Sequence, residues 1–420
     1  VTDEGAKGLP AQAAHYALET GLASIVLCLA LLKWAAEVQA GASAPPPDVG
    51  QDTLERLAAS PLRYLAYAIT VAALLAVAHF LRRVTRALRL SLPASEPLTL
   101  GRALEVARAW WAERTSGLQR HLTIGHFLLG FGAVTVTQAL LAVPLAPRGH
   151  AVDAAGATLT LPHEVAPVGT ATTLRLSPGL GEVSARVTNG SIVVDGEPLG
   201  PGRHALRDGA VVLVGDQRLV VKAPDVFGQL GASLLGQALG IAALVLAAAR
   251  LAGRDGLAAL GLTTTGLAAE VRRGALGFLA VLPLYTAVLA LWSAAGDALG
   301  LTPAGHPLVL LLEREGLRLA ALVFVQAALL APLQEELLYR GLLLPAFARV
   351  VGPLGAVLGS SLVFGAMHPG FLFLLPMAVL GSLFAGLYAT SRHRSLVASI
   401  TAHALFNGVT LIFVIGVQLS

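Results

Sequence analysis

Charge is what this chain has least of. Only 13% of its 420 residues are Asp, Glu, Lys or Arg, while 55% are hydrophobic and the mean hydropathy is +0.72. A soluble domain carries roughly 25% charged residues, so that class is excluded. Most of the length must lie in lipid-compatible helices. The formal net charge of +4 is small for the length and gives no basis for binding nucleic acid. Cysteine is almost missing. Cys28 stands alone in an apolar run, which excludes an intramolecular disulfide and leaves no thiol near the polar residues of the C-terminal third. No internal repeat is present. Gly and Ala, in contrast, are abundant, as close helix packing in lipid requires.

Nine segments approach the ~20 residues needed to cross a bilayer: 16–38, 62–80, 127–146, 227–249, 276–298, 317–347, 353–368, 371–390 and 396–417. The sixth is long for one crossing and the seventh is short. Basic residues set the orientation. Eight arginines from Arg82 to Arg120 lie between the second and third segments. Arg250, Arg254, Arg272 and Arg273 lie between the fourth and fifth. Arg349 follows the sixth, and Arg392 and Arg394 separate the eighth and ninth. With alternating spans all these connections share one side, which is the cytoplasm. The N-terminus is then cytoplasmic and the C-terminus is not. The acidic loop 41–56 faces the other way.

Two stretches are not membrane. Residues 99–119 read as an interfacial helix, with Trp110 and Trp111 beside arginines. Residues 151–222 carry short alternating runs (ATLTL, ATTLRL, EVSARV, SIVVD, AVVLVG, RLVVK) separated by turn residues, with Asn189-Gly190 and Asp195-Gly196 as hairpin dipeptides. They predict a small all-β extramembrane domain on the non-cytoplasmic side. The fold class is therefore a polytopic α-helical membrane protein of about nine transmembrane helices with an inserted all-β domain. Residues 1–150 form an N-terminal membrane region with three spans, 151–222 the β-domain and 223–420 a membrane core. The second half of the β-domain faintly resembles the end of a forkhead-associated domain. The phosphopeptide-reading pattern of that family is not evident, so the likeness concerns architecture alone.

An ionisable side chain at bilayer depth costs ~3 kcal/mol or more and marks a functional site by default. The last four segments hold Glu335, Glu336, Arg340, His368 and His403, together with Asn407. At ~100° per residue, Glu335 and Glu336 point in different directions. Arg340 is i+4 from Glu336 and can neutralise it, which leaves Glu335 free to face something else. Glu335 lies about 17 residues before a turn near Val351–Pro353 and His368 about 16 after it. Antiparallel helices would bring both to one level, roughly 25 Å from the turn. Phe364 shares a face with His368, and His403 shares one with Asn407. A carboxylate, two imidazoles and a carboxamide on three helices can thus converge. Glu335 and His368 could polarise water for attack on a carbonyl, and His403 and Asn407 could donate to the oxyanion. No serine or cysteine stands beside a base as a nucleophile.

The three motifs EELLYR (Glu335, Glu336, Arg340), FGAMH (Phe364, His368) and HALFN (His403, Asn407) occur in order. Together they resemble the CPBP family of intramembrane glutamic endopeptidases, which includes the type II CAAX prenyl endopeptidases and the bacterial Abi proteins. The resemblance covers about the last 110 residues. It implies a peptidase in which Glu335 activates water with help from His368, and His403 and Asn407 hold the oxyanion. Glu336 and Arg340 would support the site, Phe364 would pack, and Tyr339 would sit nearby. It implies no cofactor or metal, and a membrane protein or membrane-associated peptide as substrate. The β-domain would recruit a substrate or regulator. The composition suits a high-GC bacterium and hence its inner membrane. Two other readings use the same residues. One is a zinc protease with His368, His403 and a glutamate as ligands, although no H-E-x-x-H is present. The other is a scaffold, immunity or transport protein without proteolysis.

Overall fold

A computed structural model of the chain describes residues 100–115, 122–145, 149–166, 172–178, 183–251, 256–299, 315–368 and 373–419, with isolated pieces elsewhere, chiefly at 22–33 and 68–78. The described residues divide into two compact units. One comprises Val1–Val134 with Ile241–Ser420, the other Thr135–Gly240. The principal helices are α1 (Leu100–Thr115), α2 (Ile124–Leu145), α3 (Val226–Leu251), α4 (Leu267–Ala298), α5 (Ala320–Phe324), α6 (Ala331–Glu336), α7 (Leu344–Ala366), α8 (Leu374–Ala389) and α9 (Val397–Leu419). The unit boundaries fall inside α2 and α3.

Among the described residues four helices are long and apolar enough to cross a membrane: Val226–Ala248, Leu267–Ala298, Leu317–Ala366 and Val397–Gly416. Ala68–Ala78, Ile124–Leu140 and Leu374–Ala389 are shorter apolar helices. The chain is an integral membrane protein. The first two expected spans, 16–38 and 62–80, are described only in part, as helical pieces chiefly at 22–33 and 68–78, so the count of nine is not established. The interfacial segment 99–119 is helical over α1, and its last residues lie outside the described set.

The fifth span departs from expectation. It begins at Leu267 rather than 276, so Arg272 and Arg273 sit inside a helix, not in a connecting loop. The reason is that these charges are paired, both within the helix and with the end of α8. Arg273 lies 3.2 Å from Glu270 one turn earlier, Ser391 donates to Glu270 at 3.0 Å, and Arg273 donates to Thr390 at 3.3 Å. The charged first turns remain helical because their charges are answered at the helix surface.

The sixth and seventh expected spans are one apolar stretch, Leu317–Ala366, interrupted in three places. Pro332 has no N–H to return to the preceding turn, and the backbone widens there into a π-helical segment, Val325–Leu330. A second π-helical segment, Leu337–Leu343, follows. The helix then breaks at Gly352, whose φ of 73° and ψ of 171° are non-helical. Glycine adopts positive φ without strain, and Pro353 disfavours a helical conformation at the residue before it. The chain reverses at this point. Phe364 returns to Tyr339, their rings 5.4 Å apart. Gly365 meets the α8 backbone at Leu374, leaving no room for a Cβ. Such close approach supplies the dispersion that holds helices together in lipid. The core of this unit contains Phe278, Leu337, Tyr339, Phe364, Phe384 and Tyr388.

The second unit holds ten antiparallel strands: β1 (His150–Asp153), β2 (Thr158–Thr160), β3 (His163–Val165), β4 (Thr173–Pro178), β5 (Val183–Thr188), β6 (Ile192–Val194), β7 (Glu197–Leu199), β8 (Gly202–Leu206), β9 (Val211–Val214) and β10 (Gln217–Lys222). They form a six-stranded sheet (β2-β1-β10-β9-β6-β7) and a four-stranded sheet (β3-β4-β5-β8). Inward alternate residues of both sheets, Leu174, Leu176, Val212 and Leu219 among them, share one core. Asp195-Gly196 closes the β6–β7 hairpin as expected, with both residues at positive φ. Asn189-Gly190 also has positive φ at both positions. It does not close a hairpin, however, because β5 and β6 belong to different sheets. The dipeptide turns the chain from one sheet to the other.

Candidate active site

The stretch from Ala331 to Leu343 carries three ionisable groups whose environments differ. Glu336 and Arg340 are buried completely, at 0% and 1% side-chain exposure, and pair at 3.0 Å. This is the i,i+4 neutralisation anticipated from spacing. Arg340 is held further by Gly381 O of α8, to which its Nη2 donates at 3.1 Å. Its guanidinium also lies 4.6 Å from the Phe364 ring centroid and 5.2 Å from that of Phe384. Cation–π attraction is strengthened where water is excluded. A Cβ at Gly381 would sit 3.1 Å from Ser361 and 3.3 Å from Phe364, so any other residue there would push those neighbours by a few tenths of an ångström.

His403 enters from α9. Its Nδ1 lies 3.0 Å from Glu336 Oε1, the oxygen that also accepts from Arg340. A carboxylate can only accept, so Nδ1 carries the proton and Nε2 is directed elsewhere. It faces Glu335, with Nε2 and Oε2 3.9 Å apart. Phe384 stacks on the imidazole at 4.6 Å with an interplanar angle of 18°, which fixes the ring plane. The link from His403 to Glu336 was not anticipated by the sequence reading. It makes Glu336 the hub of the cluster, joining the first and third motifs.

His368 follows the C-terminus of α7. Its Nδ1 lies 2.8 Å from Phe364 O, so it donates to that carbonyl and leaves Nε2 as an acceptor. Capping a helix end and presenting a basic nitrogen are therefore compatible roles. The Phe364 ring is the steric centre of the site, 4.7 Å from the His368 ring and 5.7 Å from that of His403. His368 lies within electrostatic reach of Glu335 and His403. Glu335 itself keeps 27% side-chain exposure, yet its Oε2 is buried. Glu335 Oε2, Glu336 Oε2 and Arg340 Nε have no hydrogen-bond partner among the described residues. Such orphaned atoms are costly, and their clustering marks a place built to receive polar atoms.

Asn407, expected as an oxyanion donor, also bonds a neighbouring helix. Its Nδ2 donates to Ala327 O at 2.7 Å. Ala327 lies in the π-helical segment ahead of Pro332, where a proline cannot supply the return N–H, and Asn407 satisfies the carbonyl instead. One of its two amide hydrogens is thereby committed to structure. Tyr339 is buried at 5% exposure with its ring edge-on to Phe364.

Three contributors escaped the sequence reading. Phe384 and Gly381 lie in an apolar helix without a periodic signal. Lys33, near the end of the helical piece at 22–33, donates to Met367 O at 3.2 Å, beside His368. A lysine in so apolar a neighbourhood was the available hint. The zinc reading needs three converging donors. Among the described residues no group of three His, Cys, Asp or Glu side chains has that arrangement.

No curated protein and no solved structure matches the chain. A family model does: residues 317–409 match the model described as Type II CAAX prenyl endopeptidase Rce1-like. All three motifs fall inside that segment, as does every group of the cluster except Lys33, and the segment 317–409 is a domain of this Rce1-like family with a CAAX-type intramembrane protease fold.

Proposed function

We propose that the protein is an intramembrane peptidase that hydrolyses peptide bonds of membrane-associated or membrane-inserted substrates. The observation that supports this best is the buried, unpartnered Oε2 of Glu335 facing Nε2 of His403, beside a His368 whose Nδ1 is already committed. Water held there transfers a proton to Glu335 while its oxygen attacks the carbonyl carbon. His368 Nε2 accepts the second hydrogen bond of that water. The oxyanion develops against the remaining amide hydrogen of Asn407 and against His403 as imidazolium, whose Nδ1–H stays on Glu336 while its Nε2–H donates to the oxyanion; such donors are worth several kcal/mol in a water-poor site. Glu335 then passes its proton to the departing amine as the C–N bond breaks. Glu336 and Arg340 fix His403 rather than touch substrate.

The β-sandwich is an exosite that selects the substrate or a regulator, on the non-cytoplasmic side of a bacterial inner membrane. Removing 151–222 should change which membrane proteins are cut while sparing cleavage of a short peptide. Loss of both would assign the sandwich a folding role.

The test is a comparison of peptides released from membranes holding the wild-type protein or Glu335→Gln, with folding checked by chromatography in detergent. Release should stop in the variant. Equal release would remove the proposal. If the variant also rescued every phenotype of a deletion strain, a non-proteolytic scaffold would take its place.

A further inference from the structure

Strand register places three arginines side by side on the four-stranded sheet. Arg175 of β4 is directly opposite Arg186 of β5, and Arg186 is directly opposite Arg203 of β8. Residues paired in this way share a face, and all three are exposed. The row therefore spans two inter-strand steps, roughly 10 Å. Arg175 and Arg186 have neither hydrogen bond nor ion pair among the described residues. Arg203 donates from Nε to Ser184 Oγ at 2.8 Å, which orients its guanidinium and leaves both terminal nitrogens uncommitted by that bond. Glu164 of β3 is opposite Arg175 at one end of the row, so it faces a single member of the three.

Like charges directly opposite one another destabilise a sheet. General basicity does not account for the row, because residues 151–222 carry six basic and seven acidic side chains. A domain with that balance could intersperse its signs and does not. The arrangement fits a ligand carrying several negative groups a few ångströms apart, since paired guanidinium forks bind phosphate oxygens well.

The position of the row indicates which ligand. Val183, the first residue of β5, lies against Gly149, next to Lys222 O and Pro224. That is the end where the sandwich joins α2, which ends at Leu145, and α3, which starts at Val226. Arg186 is three residues along β5, about 10 Å from that end whatever the tilt of the strand. The row thus lies within about 10 Å of the level at which the two apolar helices end, close to where headgroup phosphates are concentrated. We infer that the row Arg175, Arg186 and Arg203 is a docking surface for the phosphate groups of anionic lipids in the adjoining leaflet. It would hold the sandwich against the membrane, and it does not depend on hydrolysis by the helical unit.

The test labels arginines of the intact wild-type protein with phenylglyoxal, read residue by residue by peptide mass spectrometry. The protein is placed in nanodiscs of phosphatidylcholine alone or of phosphatidylcholine mixed with phosphatidylglycerol. Modification of Arg175, Arg186 and Arg203 should slow on the order of ten-fold in the anionic discs, and high salt should reverse this. Arg207 and Arg218, in the same unit but off the row, should react alike in both. Equal rates for the three in both discs would overturn the inference. So would slowing of all five arginines together, which would report bulk surface potential. Equal protection by inorganic phosphate in neutral discs would also overturn it, by making the row a free-anion site.

Discussion

The two units treat charge in opposite ways. In the helical unit Glu336 meets a guanidinium and an imidazole on one oxygen, and the guanidinium is answered again by a carbonyl and two aromatic rings. In the β-sandwich three arginines stand in one row, and among the described residues only Arg203 of the three has a hydrogen-bond partner, a serine. The difference follows from the surroundings. A charge away from water must be matched by the protein, or the protein does not fold. A charge facing water is solvated and can be left available. An orphaned polar atom therefore means more in the first unit than in the second, and Glu335 Oε2 is such an atom.

Four substitutions can break or sharpen this contrast. The largest effect is expected at Glu335. Glu335→Gln should lower cleavage by about 10²–10⁴-fold with little change in melting temperature, since among the described residues Glu335 Oε2 has no hydrogen bond to lose and its contact with His403 is 3.9 Å long. A variant that melts much earlier would show that Glu335 belongs with the structural charges. Next is Arg340→Met, which strands a buried carboxylate and should cost about 3–5 kcal/mol. Thermal unfolding in detergent would read this, and adding Glu336→Gln should restore most of the loss. Absence of that recovery would break the pairing argument. Asn407→Ala frees the Ala327 carbonyl and should cost about 1 kcal/mol. Hydrogen exchange should rise around Val325–Leu330 if the π-helical segment depends on that bond. The smallest effect is expected in the sandwich. Arg186→Glu converts two like-charge pairs into opposite ones and should stabilise it by up to ~1 kcal/mol. The gain should fade at high salt, whereas the cost of Arg340→Met should not.

Much of this organisation was legible in the sequence, for reasons that differ by region. The six alternating runs all became strands, because a half-buried sheet imposes a period of two. The four strands missed, β1, β3, β7 and β8, are no shorter than β2 and β6, but their sequences HAVD, HEV, EPL and GRHAL hold few β-branched residues and no alternating apolar run. The Glu336–Arg340 pair followed from helical spacing, and the reversal at Gly352-Pro353 from backbone chemistry. The start of α4 did not, because its charges are answered by Thr390 and Ser391, more than a hundred residues away. The same holds for His403. Spacing grouped it with Asn407, whereas folding joined it to Glu336.

What the sequence settled by itself is a matter of local periodicity and solvent. Apolar length required membrane helices, alternation required a sheet, and three spaced motifs named the polar residues that had to be accommodated. Which of those residues would lean on one another was decided only when α7, α8 and α9 packed. A hydrogen bond across helices depends on depth and rotation, and sequence separation specifies neither. Glu335 was left with an unpartnered oxygen in that packing because His403 and Arg340 both closed on Glu336.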